Sequence, residues 1–154
     1  MNEKLFYLAN PYGGVGGNCE FHAECGYTTD LRKCALFTKE EAQGWVDSKR
    51  GDTPLLKSEV DKHIVFGVDH QHLDENDLDV SKPCYVQVSG MWNGNDIAFL
   101  DESRNPTFSH GDAFVFQAEE AMKLAATSSS LVAWNKPYID GLARPTFQTL
   151  SIVR

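Results

Sequence analysis

The sequence predicts an α+β fold of two degenerate tandem strand-strand-(strand)-helix-strand units with mainly antiparallel sheet. In each half, two strand-like runs flank a glycine-containing turn. In each half, too, Glu-Glu-Ala opens a helical stretch: Leu36-Phe37-Thr38-Lys39-Glu40-Glu41-Ala42 and Val115-Phe116-Gln117-Ala118-Glu119-Glu120-Ala121, 79 residues apart. The order of elements is shared over both halves, which weighs more than any single identity. Residues 1–80 are expected to hold the first unit with an acidic linker, and residues 81–154 the second, together one compact domain.

Lys4-Leu5-Phe6-Tyr7-Leu8-Ala9 reads as the first strand, with Phe6 and Leu8 facing one way and Tyr7 and Ala9 the other. The turn Gly13-Gly14-Val15-Gly16-Gly17-Asn18 leads to a second strand, Cys19-Glu20-Phe21-His22-Ala23. Thr38 with Glu41 three positions on is a capping box, and Phe37 stands where a hydrophobic staple against Ala42 would. Ala42, Trp45 and Val46 recur at i, i+3, i+4 and predict one buried stripe, and residues 48–53 with Pro54 end that helix. Ile64-Val65-Phe66 reads as a closing strand, and residues 69–83 as an acidic surface loop.

In the second half, Tyr85-Val86-Gln87-Val88-Ser89, a turn Trp92-Asn93-Gly94-Asn95 and Ile97-Ala98-Phe99-Leu100 form the hairpin. Gly94-Asn95 matches Gly17-Asn18 at an offset of 77. Ala121, Leu124 and Ala125 mark the helix, whose Gln117 is a poorer cap than Thr38. Leu131-Val132-Ala133-Trp134 follows as the counterpart of Ile64-Val65-Phe66, and Pro137-Tyr138-Ile139-Asp140-Gly141 reads as a turn presenting Tyr138.

Of 154 residues, 42% are apolar and 23% charged, a globular balance that excludes wholesale disorder. The apolar run before Asn10-Pro11 is shorter than the ~7–15 residues of a secretory signal, so a cytoplasmic protein is expected. No run approaches the ~20 apolar residues of a membrane span. Fourteen basic against 22 acidic residues give a net charge of −8, which disfavours direct nucleic-acid binding and favours basic partners.

Tyr7-Leu8-Ala9-Asn10-Pro11-Tyr12-Gly13-Gly14, Val15-Gly16-Gly17-Asn18, Gly26-Tyr27-Thr28-Thr29-Asp30-Leu31, Ala35 and Phe37-Thr38-Lys39-Glu40-Glu41-Ala42 resemble the opening of a group of small bacteriophage and prophage proteins. About a quarter of the chain is covered. The resemblance implies compact hairpin-plus-helix units and a phage or prophage accessory gene, and it transfers no activity. The second strand departs from that group, whose counterpart is richer in tryptophan.

Cys19, His22, Cys25 and Cys34 have a spacing that invites a zinc reading. Alternation along a strand argues against it, because Cys19 and His22 would face opposite sides. His70 and His72, two residues apart near Asp69, form the other candidate for a divalent metal or acid–base chemistry, with Asp61 and His63 close in sequence. The glycine turn lacks the Lys-Ser/Thr of a phosphate loop, and Ser109-His110-Gly111-Asp112 cannot fold onto itself as a triad. Trp92, Trp134, Tyr12, Tyr138 and Phe147 are more aromatics than two small helices cover. Trp92 and Tyr138 with Asp74, Glu75, Asp77 and Asp79 therefore form a candidate protein-binding surface.

With no catalytic set in view, the leading expectation is a non-enzymatic binding protein of phage or prophage origin, an anti-CRISPR-like inhibitor. Its target would be a host defence or nucleic-acid-binding protein with a basic surface. The alternatives are a small metal-binding protein or metal-dependent enzyme, using His70 and His72 with or without Cys19 and Cys25, and a small-ligand sequestering protein with its pocket where the copies meet. No cofactor is called for unless zinc binds. A homodimer is compatible with the sequence, which does not fix the oligomeric state.

Overall fold

The computed structural model describes residues 4–49, 51–74 and 77–148. Its first run of elements is β1 (Leu5–Val15), β2 (Asn18–His22), β3 (Tyr27–Thr28), β4 (Phe37–Thr38), α1 (Lys39–Asp47), β5 (Thr53–Leu56), α2 (Lys57–Val60) and β6 (Ile64–Gly67). The second is β7 (Cys84–Asn93), β8 (Asp96–Leu100), β9 (Pro106–Thr107), α3 (Ala118–Thr127), β10 (Leu131–Asn135), α4 (Lys136–Leu142) and β11 (Arg144–Phe147). The fold is α+β with antiparallel pairing, as the sequence predicts.

Both runs are wired alike. One sheet has the order β3-β2-β1-β4 with β5 also on β1; the other has β9-β8-β7-β10. Where β4 sets Phe37 opposite Phe6, the second run keeps a single bridge, Phe116 to Cys84. The registers agree residue by residue: Tyr7 lies opposite Leu55 and Tyr85 opposite Trp134, while Phe21 lies opposite Thr28 and Phe99 opposite Thr107. A three-residue 3-10 turn follows the third strand in each, Leu31–Lys33 and His110–Asp112.

By contacts the chain forms two compact units, one up to Val65 and again from Pro145, the other Phe66–Arg144. In the first, Tyr7, Ala9, Cys19, Phe21, Leu31, Val60 and Phe147 make the core. In the second, β7 separates two clusters. Cys84, Val86, Leu100, Phe116 and Ala133 pack with Ala118 and Ala121 of α3 on one face; Tyr85, Ile97, Phe99 and Trp134 pack with Val68 and Ile139 of α4 on the other. The alternation of Val86 with Tyr85 is the period-two pattern of a strand buried on both faces.

Local sequence explains the ends of the elements. Thr38 Oγ1 accepts from the Glu41 N–H at 3.2 Å and Glu41 Oε1 from the Thr38 N–H at 3.0 Å, so the capping box forms. Gln117 caps α3 without a side-chain hydrogen bond. Ala42 and Ala121 are buried at matching positions, but Val46 is exposed, so the stripe on α1 is narrower than its spacing suggests.

Four expectations are corrected. The two-residue turns are Gly16-Gly17 and Gly94-Asn95, so the copies align there at 78 rather than 77, and Asn18 corresponds to Asp96. Positive φ at Gly16 (62°) and Gly94 (61°) sets that register, since each first turn residue must be left-handed. Trp92 consequently lies in β7, opposite Ile97, past a register shift in the strand, and not in the turn. The counterpart of β10 is β5, not β6; Pro54 hid it, yet a proline is tolerated at this position, facing Leu8. Residues 136–142 form α4 rather than a turn, with Pro137 in its first turn, where its missing N–H costs nothing.

Two buried polar contacts sit at the matched hairpin positions. In the first unit Asn18 Oδ1 accepts from Gln148 Nε2 at 2.7 Å. In the second, Asp96, 2% exposed, pairs with Arg144 at 2.6 Å. Gly67 stands against that pair, and a Cβ there would collide with Asp96 Oδ2. Gly67→Ala is therefore expected to lower stability by about 1–3 kcal/mol, the range for overpacking a filled site, read as a fall in the urea midpoint.

Candidate functional site

The clearest chemistry recurs in both units. In the first, Asp61 Oδ1 accepts from the Tyr7 hydroxyl at 3.0 Å, and Asp61 Oδ2 pairs with Lys57 Nζ one helical turn earlier. In the second, Asp140 Oδ1 accepts from the Tyr85 hydroxyl at 2.6 Å, and Asp140 Oδ2 from Lys136 Nζ at 2.6 Å. Each ammonium also lies near its tyrosine ring, 6.0 Å from the Tyr7 centroid and 5.9 Å from that of Tyr85. Tyr7 and Tyr85 are matched strand residues, and Lys57/Lys136 and Asp61/Asp140 hold the offset of 79 set by Glu-Glu-Ala.

His110 is an addition in the second unit. Its Nε2 is 2.7 Å from Asp140 Oδ1, and its ring packs edge-on to Tyr85 at 5.4 Å. The matching place in the first unit holds Leu31, which is buried. Burial raises the Tyr85 phenol well above its ordinary value, and the hydrogen bond to Asp140 adds to that; Tyr7 is raised in the same way. Burial alone would raise Asp140, but hydrogen bonds from Lys136, Tyr85 and His110 together bring its carboxyl below the ordinary carboxylate value. These hydrogen bonds close on one another, as a network that fixes a helix against a strand does.

The residues singled out in the sequence are distributed as follows. Trp92 is 48% exposed and packs on the His70 ring at 4.9 Å, with Met91 exposed beside it. Tyr138 stacks on Trp134 at 5.8 Å, and its hydroxyl accepts from the Asp74 N–H at 2.8 Å and lies 3.4 Å from the His72 carbonyl. Residues 70–74 thus run from Trp92 to Tyr138, and Asp74 is exposed along them. Asp77 is exposed as well. Asp79 is engaged in a turn, taking hydrogen bonds from the Ser81 N–H and hydroxyl at 3.0 and 2.6 Å. Glu75, and the side chain of Tyr12, lie outside the described residues. Trp134 and Phe147 are buried, Trp134 donating through Nε1 to Gln87 at 2.7 Å.

Cys19 is buried in β2, where burial pushes its thiol up to about 11, whereas Cys25 is exposed beyond the strand end. Cys19 faces the core with Phe21 while His22 faces Tyr27 and Trp45, the opposite sides that alternation requires. His70 and His72 share one 3-10 turn. Among the described residues no three of His, Cys, Asp or Glu are grouped to hold a metal ion, and no helix is long and apolar enough to cross a membrane.

Sequence reasoning missed a further cluster in the first unit. The His22 ring lies 4.7 Å from both Tyr27 and Trp45, Phe37 meets Trp45 edge-on at 6.2 Å, and His22 Nε2 is 2.7 Å from the buried Asp52 carboxylate. In the sequence these residues stand apart: His22 in a strand, Tyr27 in the opening motif, Phe37 as a staple and Trp45 in a core stripe.

A carboxyl held below its ordinary value stabilises the fold above the unfolded-state pKa, and that contribution is lost as pH falls through the lower folded-state pKa. Chemical denaturation of the wild type at pH 7 and pH 3 is expected to show an acid loss that is smaller in Asp140→Asn. Asp140→Ala, which leaves the Tyr85 hydroxyl buried without its acceptor, is expected to cost about 1–3 kcal/mol at pH 7.

No family model matches the sequence, and neither a curated protein nor a solved structure matches it.

Proposed function

We propose that this chain is a non-enzymatic binding protein of phage or prophage origin, which acts in the cytoplasm by occupying a basic surface on a host protein, in the manner of an anti-CRISPR-like inhibitor. The observation that carries the reading is the surface of the second unit around Trp92. The segment 70–74, which carries the exposed Asp74, is anchored at one end by a tryptophan of β7 that is 48% exposed, with an exposed methionine next to it, and at the other end by Tyr138. Large aromatics of this kind dominate binding energy at interfaces, and exposing one to water without a partner is unfavourable. The exposed Asp74 at the Tyr138 end of that segment, on a chain of net charge −8, favours a basic partner.

The Tyr–Asp–Lys networks support the non-enzymatic reading in a second way. They recur in both units, and Tyr7 and Tyr85 are almost wholly buried, which suits a fixing role better than chemistry on a substrate. The phage origin rests on the opening motif, and the defence role of the target follows from that origin.

Purified protein incubated with host lysate tests the reading. The wild type is expected to retain a basic host protein that a charge-matched control does not, and Trp92→Ala to weaken retention at least about tenfold while keeping its thermal midpoint. Raising the salt should weaken retention too. Equal retention by Trp92→Ala, or none by the wild type, counts against the proposal.

A further inference from the structure

The first unit carries a surface that its counterpart lacks. The cross-strand pair His22–Tyr27 corresponds to Leu100–Pro106, and Trp45, seven residues after the cap of α1, corresponds to Leu124. The second unit builds the same sheet and helix with Leu and Pro at these places. The three rings are therefore not demanded by the fold. They are also partly open to water: Tyr27 is 51% exposed.

Together with Phe37 they wall two adjoining surface cavities of about 450 and 500 Å³, with Phe37 and Trp45 common to both. Glu24 lines one cavity and Glu41 the other, and among the described lining residues there is neither Lys nor Arg. The His22 ring is held in place from behind. Asp52, whose side chain is 7% exposed, binds His22 Nε2 and fixes the ring between Tyr27 and Trp45. Aromatic faces present negative potential, and carboxylates at the rim add to it.

From this geometry we infer that the cluster His22, Tyr27, Phe37 and Trp45 is a binding site for an organic cation, an alkylammonium or guanidinium group. Such a cation gains from ring faces what a metal ion cannot, the more so when it is a weakly hydrated guanidinium, and among the described residues no three of His, Cys, Asp or Glu are grouped here to hold a metal. The group has two sources, a free small molecule or a Lys or Arg side chain presented by a protein. The inference makes no use of the Trp92 surface, which belongs to the other unit.

The test is an NMR titration of the full chain, following the Trp45 indole N–H and the amides of residues 22–27. The probes are tetramethylammonium chloride, N-acetyl-lysine methylamide and N-acetyl-arginine methylamide, with sodium chloride and uncharged tert-butyl alcohol as controls. Saturable shifts with the organic cations, and not with the controls, are expected at concentrations up to about 0.1 M. Trp45→Leu installs the side chain that the second unit uses, so it should fold, and it should weaken binding about tenfold; Trp92→Leu should leave binding unchanged. A short alanine peptide with one central lysine separates the sources: binding tighter than that of the lysine analogue assigns a protein side chain, and equal or weaker binding assigns a free cation. Equal shifts with tert-butyl alcohol, no saturable shift with any cation, or unaltered binding in a folded Trp45→Leu would overturn the inference.

Discussion

One carboxylate in each unit holds the architecture in place. Asp61 caps the C-terminal end of α2 and Asp140 lies on α4, and each accepts a hydrogen bond from a tyrosine on the long strand of its sheet. The tyrosine is buried, so its hydroxyl must find an acceptor or cost the fold the price of desolvation. The lysine four residues before the carboxylate is its near neighbour on the helix, and it compensates the negative charge. Strand and helix are thus pinned at a single point, and the same tyrosine meets a phenylalanine of the next strand at a similar angle in both units, Tyr7 with Phe21 at 56° and Tyr85 with Phe99 at 62°.

With that frame fixed twice, the two units differ where the frame does not constrain them. The second adds His110 to its network and a buried Asp96–Arg144 pair, where the first uses Leu31 and an Asn18–Gln148 hydrogen bond. A buried ion pair is a poor source of net stability but an exacting one, since loss of either partner strands a charge. Each unit is completed by residues that follow the other copy's short helix in sequence: Phe147 enters the first core, and Val68 the second. Neither copy cut out at the midpoint of the sequence would keep its full core.

Much of this was legible in the residues. Glu-Glu-Ala, the capping box at Thr38 and the strand alternation around Tyr85 are local signals, and local signals survive folding. What was misread depends on register. Gly17-Asn18 looked like the partner of Gly94-Asn95 because identities are easier to see than dihedral angles, and left-handed glycines at 16 and 94 set the turn one residue earlier. Pro54 concealed β5, and Pro137 made a helix look like a turn. The Tyr–Asp–Lys network was within reach. Lys-x-x-x-Asp stands at 57–61 and again at 136–140, the offset that the helix match had already supplied. The aromatic cluster of the first unit was not, because His22, Tyr27, Phe37 and Trp45 come together only through strand pairing and helix docking.

Spectrophotometric titration of tyrosine ionisation tests the duplicated network most directly. Of five tyrosines, Tyr7 and Tyr85 should resist ionisation beyond the ordinary value of about 10 and titrate only as the protein unfolds, and Tyr7→Phe and Tyr85→Phe should each remove one such resistant group. Five phenols ionising together near 10 in the folded protein, or a resistant class that survives both substitutions, would contradict it.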